Sequence, residues 1–212
     1  MTIAIFGSPY PEHFSKYIQH LIKKLETEHI NLIIEEEFSI FLENNIRFNK
    51  SISTFNSYET LKNKADFLLS IGGDGTLLKA VTYVRESEIP IMGINTGRLG
   101  FISSISADQI DDAITDILKG NYKINERTLL ELSSDKNLFK EKNFALNEVA
   151  VSKKDTSSMI RIDAYVDDEF LNTYWADGLV VSTPTGSTGY SLSCGGPIIM
   201  PGTNNIIITP NA

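Results

Sequence analysis

The chain has a single cysteine, Cys194. It cannot close an internal disulfide, which fits a reducing compartment. No apolar run approaches the roughly 20 residues needed to cross a bilayer. The opening run Met1 to Gly7 is too short for a signal peptide and lacks a basic start, so it reads as a first strand. These absences point to a cytoplasmic protein with no membrane partner. Basic charge is also scarce. A net charge of -8 argues against non-specific binding to nucleic acid. No histidine cluster and no carboxylate run with calcium-loop spacing is present, so no protein-built metal cage is expected. Neither the G-x-x-x-x-G-K-[ST] phosphate loop nor the G-x-G-x-x-G dinucleotide fingerprint occurs. Internal repeats and low-complexity segments are missing too.

What is present centres on residues 67–85. Phe67 to Ile71 is an apolar run that reads as a buried strand. Gly72-Gly73-Asp74-Gly75 breaks it, and an apolar helix is expected from Thr76 to Arg85. Glycines let a backbone approach a phosphate, and a helix N-terminus offers unpaired N–H groups to an anion. Asp74 is then out of place, because a fixed negative charge repels phosphates. A compensating role is needed, either holding a metal or taking a proton from an attacking hydroxyl. The plain alternative is an aspartate that caps the following helix. Gly72-Gly73-Asp74-Gly75-Thr76 resembles a signature shared by NAD kinases, diacylglycerol and sphingosine-type lipid kinases and, more loosely, phosphofructokinases.

With 212 residues the chain can hold one large domain or two small ones. Strands are expected at Thr2 to Phe6, Asn31 to Glu35 and Ile89 to Ile94. Helices are expected at Glu12 to Glu28, Phe38 to Leu42, Glu59 to Lys64 and Ala107 to Leu118, the last stopped by Gly120. Glu35 to Glu37 reads as a solvated end, and Arg47 to Tyr58 carries no assignment. A second glycine turn, Asn95-Thr96-Gly97-Arg98-Leu99-Gly100-Phe101, follows a strand. Alternating strands and helices imply a parallel sheet, with ligands at its carboxyl edge. The expected fold class is therefore a Rossmann-like α/β domain over residues 1–120, followed by a mainly antiparallel β domain over 121–212. In the latter, short strands are expected at 122–127, 129–133, 143–152, 159–166, 170–175 and 179–182, with a hairpin tip at Asp167 to Glu169.

Two stretches of the β domain carry polar residues that a plain sheet does not need. Asn147 and Glu148 interrupt the apolar run Ala145 to Val151. They read either as recognition groups, an amide for a base edge and a carboxylate for a ribose diol, or as a strand with a bulge. The run from Trp175 to Pro197 is dense in hydroxyls and glycines. Thr188 to Ser191 could open a helix, leaving Tyr190 free to stack on a ring.

Taken together, the Gly72 to Thr76 turn, Asn147-Glu148, Asp177-Gly178 and the run Thr183-Pro184-Thr185-Gly186-Ser187-Thr188-Gly189-Tyr190 resemble the NAD kinase family in order and approximate spacing. The Asn95 to Phe101 turn is similar to that family's as well. The resemblance implies an α/β domain and a β domain with the active site between them. It also implies transfer of the terminal phosphate of ATP, or of polyphosphate, to the 2′-hydroxyl of the adenosine ribose of NAD, giving NADP. Asp74 takes the place of the catalytic base, with Gly75 beside it. Asn147, Glu148, Asp177, Thr185 and Thr188 through Ser193 (that is, Gly189, Tyr190, Ser191 and Leu192 included) match dinucleotide contacts. Ala212 falls in a nucleotide-contact region. Lys79 could reach a phosphate or be a solvated helix lysine. Phe101 could pack on the nucleotide or belong to the core. Mg²⁺ is expected to arrive on the nucleotide, and a homo-oligomer, dimer or tetramer, is expected.

Two departures stand out. Trp175 occupies a position that is basic in some members. The family pattern also continues for several strands past Ala212, so the resemblance implies either a fragment or an incomplete sequence. The competing readings are a lipid or sphingoid kinase, which would tolerate loss of the hydroxyl-rich run, and a dinucleotide-binding regulator, which could dispense with Asp74.

Overall fold

The strands that form the first sheet are nearly continuous in apolar residues because both of their faces are covered. A computed structural model describes residues 1–49, 51–97, 100–136, 138–140, 143–154 and 158–211. The chain divides into two compact units, Met1–Ile124 and Asn125–Ala212.

The first unit runs β1 (Thr2–Gly7), α1 (Ser15–Thr27), β2 (Asn31–Glu35), α2 (Glu36–Glu43), β3 (Ser53–Phe55), α3 (Tyr58–Leu61), β4 (Phe67–Ile71), α4 (Asp74–Val84), β5 (Ile91–Ile94) and α5 (Ile110–Lys119). The sheet order is β3-β2-β1-β4-β5, and every pairing is parallel. Successive residues point to opposite faces. On one face Ile3, Ile5, Phe67, Leu69 and Ile71 pack with Ile18, Leu21 and Leu25 of α1, Phe38 and Leu42 of α2, and Ile114 and Ile117 of α5. On the other face Ala4, Phe6 and Leu68 meet Leu61 of α3 and Ala80 and Val84 of α4. The chain winds outward from β1 to β2 and β3, then returns to β4 on β1's other side. The crevice at the carboxyl ends of β1 and β4 is therefore the topological switch point, where doubly wound sheets take their ligands.

Several local expectations need correction. Glu35 to Glu37 is not a solvated end. Glu35 is buried, and its carboxylate accepts the N–H of Phe38 at 2.9 Å, capping α2. The unassigned 47–58 stretch contains edge strand β3. Asp74 is the first residue of α4 rather than its cap, since Gly73 occupies the N-cap position. Residues 121–129 form no strand. Tyr122 instead sets its ring edge-on to Phe67, with centroids 5.1 Å apart. Gly120 does end α5, at a left-handed φ of 74°.

The second unit runs β6 (Leu130–Glu131), β7 (Phe144–Ala145), β8 (Glu148–Ser152), β9 (Ile160–Val166), β10 (Glu169–Ala176), β11 (Gly178–Ser182), α6 (Tyr190–Ser193) and β12 (Ile207–Asn211). Its sheets are β12-β11-β8, β9-β10 and β6-β7, all antiparallel. The β9–β10 hairpin turns at Asp167 and Asp168, with φ of 51° and 67°. Positive φ at both positions is the two-residue turn whose twist suits a hairpin. The expected strand 143–152 is split: Leu146 and Asn147 form a bend between β7 and β8.

Candidate functional site

In the first unit, Gly72 and Gly73 let the chain leave β4 and turn at once into α4. Gly72 has a φ of 152°, and a side chain there would collide with Thr76. The hydroxyl of Thr76 is instead free to meet that of Ser8, at the end of β1, at 2.9 Å. That contact ties the end of β1 to the first turn of α4, and the Ser8 N–H, donating to the Ile71 carbonyl at 3.1 Å, ties it to the end of β4.

Asp74 does not cap its helix. Its carboxylate reaches the loop after β5. Oδ2 accepts the N–H of Phe101 at 2.8 Å, and Oδ1 accepts those of Ile102 at 3.2 Å and Ser103 at 2.8 Å. Gly100 permits this, because a Cβ there would overlap the carboxylate. The two glycine turns therefore meet at one carboxylate. Gly75 and Lys79 are both exposed on α4, and no atom stands within 4 Å of where a Cβ on Gly75 would project. Phe101 is 86% exposed, which removes the reading of it as core. Arg98 and Leu99 lie outside the described residues.

In the second unit the hydroxyl-rich run folds back on the Leu146–Asn147 bend. Thr183 Oγ1 donates to the Leu146 carbonyl at 2.6 Å, and the Thr183 N–H donates to that of Asn147 at 2.9 Å. Gly186 lies against the Asn147 carbonyl so closely that any side chain would overlap it. Ser187 donates to Pro184 and accepts the N–H of Ile199 at 3.0 Å. These hydroxyls are consumed by structure. Their work is to hold Asn147 and Glu148 in place beneath Gly186 and Gly189.

Those two side chains are left with open valences. Asn147 Oδ1 and Glu148 Oε2 are buried and have no hydrogen-bond partner. Burial pushes the Glu148 carboxyl above its ordinary range, offset in part by the Tyr190 N–H that it accepts. A buried orphan acceptor is costly unless something supplies its donor. A ribose hydroxyl and an amine edge are suitable donors.

The remaining residues divide by exposure. Thr188, Tyr190, Leu192 and Ser193 are exposed, whereas Thr185 and Gly189 are half-buried. Ser191 is fully buried: its hydroxyl pairs with that of Thr209 at 3.0 Å, and its carbonyl accepts the N–H groups of Cys194 and Gly196 at 3.1 and 2.8 Å. The Tyr190 hydroxyl accepts from Asn211 Nδ2 at 2.7 Å. Asp177 forms an ion pair with Lys153 at 2.6 Å. Thr185 accepts from Arg127 at 3.3 Å. Ala212 lies outside the described residues. Among the described residues, no three His, Cys, Asp or Glu side chains converge as a metal cage, and no helix is long and apolar enough to cross a membrane. Sequence reasoning missed Ser103 and Asn95. The only hint was Asn95 opening the second turn, where its Oδ1 accepts the Gly97 N–H at 2.7 Å.

A doubly wound sheet with an acid-bearing glycine turn at its switch point, followed along the chain by an antiparallel β unit that buries orphan acceptors, fits the kinases that share this turn. Residues 3–122 match the model of the ATP-NAD kinase N-terminal domain, and residues 146–212 match that of the C-terminal domain. The chain belongs to the NAD kinase family. It is 49% identical over 211 residues to an NAD kinase of Cytophaga hutchinsonii, covering 99% of this chain and 72% of that protein. Among solved structures it is similar to yeast NADH kinase complexed with NADH, with TM-score 0.84 and 25% identity over 100% of this chain and 66% of that one. It is also similar to an NAD kinase from Archaeoglobus fulgidus in complex with ATP, with TM-score 0.72 and 28% identity over 100% of this chain and 72% of that one. Both parts of the chain match one family, which leaves the lipid-kinase reading without support.

Proposed function

We propose that this chain phosphorylates NAD on the 2′-hydroxyl of its adenosine ribose, with ATP or polyphosphate as donor, yielding NADP. The observation that carries the reading is the Asp74 carboxylate at the switch point. A carboxylate beside a phosphate site weakens binding unless it serves the chemistry. As a base it removes the proton of the 2′-hydroxyl while that oxygen attacks the terminal phosphorus. The bond from that phosphorus to its bridging oxygen breaks, and the shortened donor leaves. Backbone N–H groups at the start of α4 hold donor phosphates, with Gly75 allowing close approach and Lys79 supplying charge.

The second unit supplies the dinucleotide contacts. Asn147 and Glu148 offer their orphan acceptors to hydroxyl and amine donors. Asp177, Thr185, Thr188, Gly189, Tyr190, Leu192, Ser193 and Ala212 complete the grip, and the buried Ser191 braces that segment through Thr209. Phe101 packs against the nucleotide. Mg²⁺ belongs to the proposal as a companion of the donor phosphates, where it would neutralise charge. A cytoplasmic homo-oligomer, dimer or tetramer, without nucleic-acid partners, belongs to it as well.

The test is Asp74→Asn, which keeps shape and removes charge and basicity. The expected fall in kcat is about 10²–10⁴-fold, with NAD affinity unchanged or slightly tighter. Turnover within tenfold of the parent, on a folded preparation, sinks the base assignment.

A further inference from the structure

The loop after β5 is bolted to the turn after β4 through one buried residue. Ser103 is fully buried. Its N–H donates to Asp74 Oδ1 at 2.8 Å, its hydroxyl donates to the Gly72 carbonyl at 3.2 Å, and its carbonyl accepts from Asn95 Nδ2 at 3.3 Å. Space for it comes from Gly93 in β5, where a Cβ would stand 2.8 Å from the Ser103 Cα and 2.9 Å from its hydroxyl. Ser103 thus holds the catalytic turn, the carboxylate and the second turn in one register.

The carboxylate's two oxygens are not equivalent in this arrangement. Each carboxylate oxygen has two lone-pair sites. Oδ1 fills both, with the N–H groups of Ile102 and Ser103. Among the described residues Oδ2 meets one donor, the Phe101 N–H, and its second lone-pair site meets none. We infer that Ser103 is a positioning residue for phosphoryl transfer: by locking the 100–103 loop to Gly72 it saturates Oδ1 and leaves Oδ2 as the oxygen that takes the hydroxyl proton. The inference rests on the reading of Asp74 as base.

Ser103→Ala removes the bolt to Gly72 and leaves the backbone donors in the chain. One lost hydrogen bond that governs the carboxylate's orientation is expected to lower kcat about 3–10-fold, with KM for NAD moved less than about twofold. The decisive measurement is the same change in an Asp74→Asn background, read by NADP accumulated over a long incubation. If Ser103 acts through the carboxylate's basicity, its effect there shrinks to within about twofold. Equal losses in both backgrounds make Ser103 a structural residue and overturn the inference, as does no loss in the parent. Should Ser103→Ala fail to fold by circular dichroism, Ser103→Cys takes its place in the same cycle, exchanging the hydroxyl bond to the Gly72 carbonyl for a weaker thiol one, and a loss confined to the Asp74 background is again expected. Survival of turnover in Asp74→Asn alone is a separate result, which removes the base assignment and with it the premise rather than the geometry.

Discussion

From Phe67 to Ile71 every residue of β4 is buried, and all but Ser70 are hydrocarbon. From Ser182 to Ser191 the buried side chains are instead Ser182, Thr183, Pro184, Ser187 and Ser191. Apolar burial is non-directional and tolerates any neighbour that excludes water. A buried hydroxyl is costly without a partner at hydrogen-bond distance, a cost that Ser70 Oγ in β4 carries and the hydroxyls of Thr183 and Ser187 avoid. The first unit is therefore a general framework whose tolerance ends at its two glycine turns. The second unit spends much of its interior fixing one bend, Leu146–Asn147, and has less hydrocarbon to spare. Its β9–β10 ribbon leaves Tyr165, Phe170 and Trp175 exposed.

If the contrast holds, the heaviest stability penalties fall in the first unit's sheet. Leu69→Ala, at a fully buried position, should cost about 2–5 kcal/mol in urea unfolding. Phe170→Ala in the exposed ribbon should cost no more than about 1.5 kcal/mol, the worth of its edge-on contact with Tyr165. Comparable losses at the two sites would erase the distinction between framework and ribbon.

A smaller effect tests the hydroxyl interior directly. Thr183→Val keeps the shape but removes a donor to the Leu146 carbonyl and an acceptor, at 3.1 Å, for the Gly186 N–H. Two buried backbone groups lose their partner, so about 1–3 kcal/mol of stability should go, with a weakened grip on NAD because the bend loosens. A neutral or stabilising result would mean that hydrocarbon serves there as well as hydroxyl.

The smallest expected effect is a pH dependence. The Glu148 carboxyl is raised by burial, so the folded protein holds that proton more tightly than the unfolded chain does. The stability it contributes is complete below the ordinary glutamate value of 4.5 and is lost as pH rises through the higher folded value. Glu148→Gln has no proton to lose. Its stability relative to the parent should rise with pH across that window and then level off. Parallel stability–pH curves for the two proteins would show that Glu148 is not strained by its burial.

The same contrast explains what could be read in advance. The bounds of β2 and β4 and the stop of α5 at Gly120 follow from apolar runs and a helix terminator, signals that need no knowledge of partners. Edge strand β3 was illegible because only Phe55 of its three residues is buried. Residues 122–127 alternate like a strand, yet Tyr122 turns to Phe67 instead of entering a ladder. In the candidate site, the place of Asp74 was legible from three flanking glycines. Its partners were not, because backbone N–H groups of residues 101–103 leave no mark in residue type. Glu148 was visible as a polar intrusion, but its orphan oxygen became visible only once Gly189 and the Tyr190 N–H were set beside it.

Trp175 is the only tryptophan in the chain, and it stands 62% exposed on β10. Its indole is already largely in water while the protein is folded, so its fluorescence should change little on denaturation and serves poorly as a melting probe. The same property makes it a contact reporter. A shift of its emission to the blue, at a temperature where the fold is intact, signals that something has covered that strand.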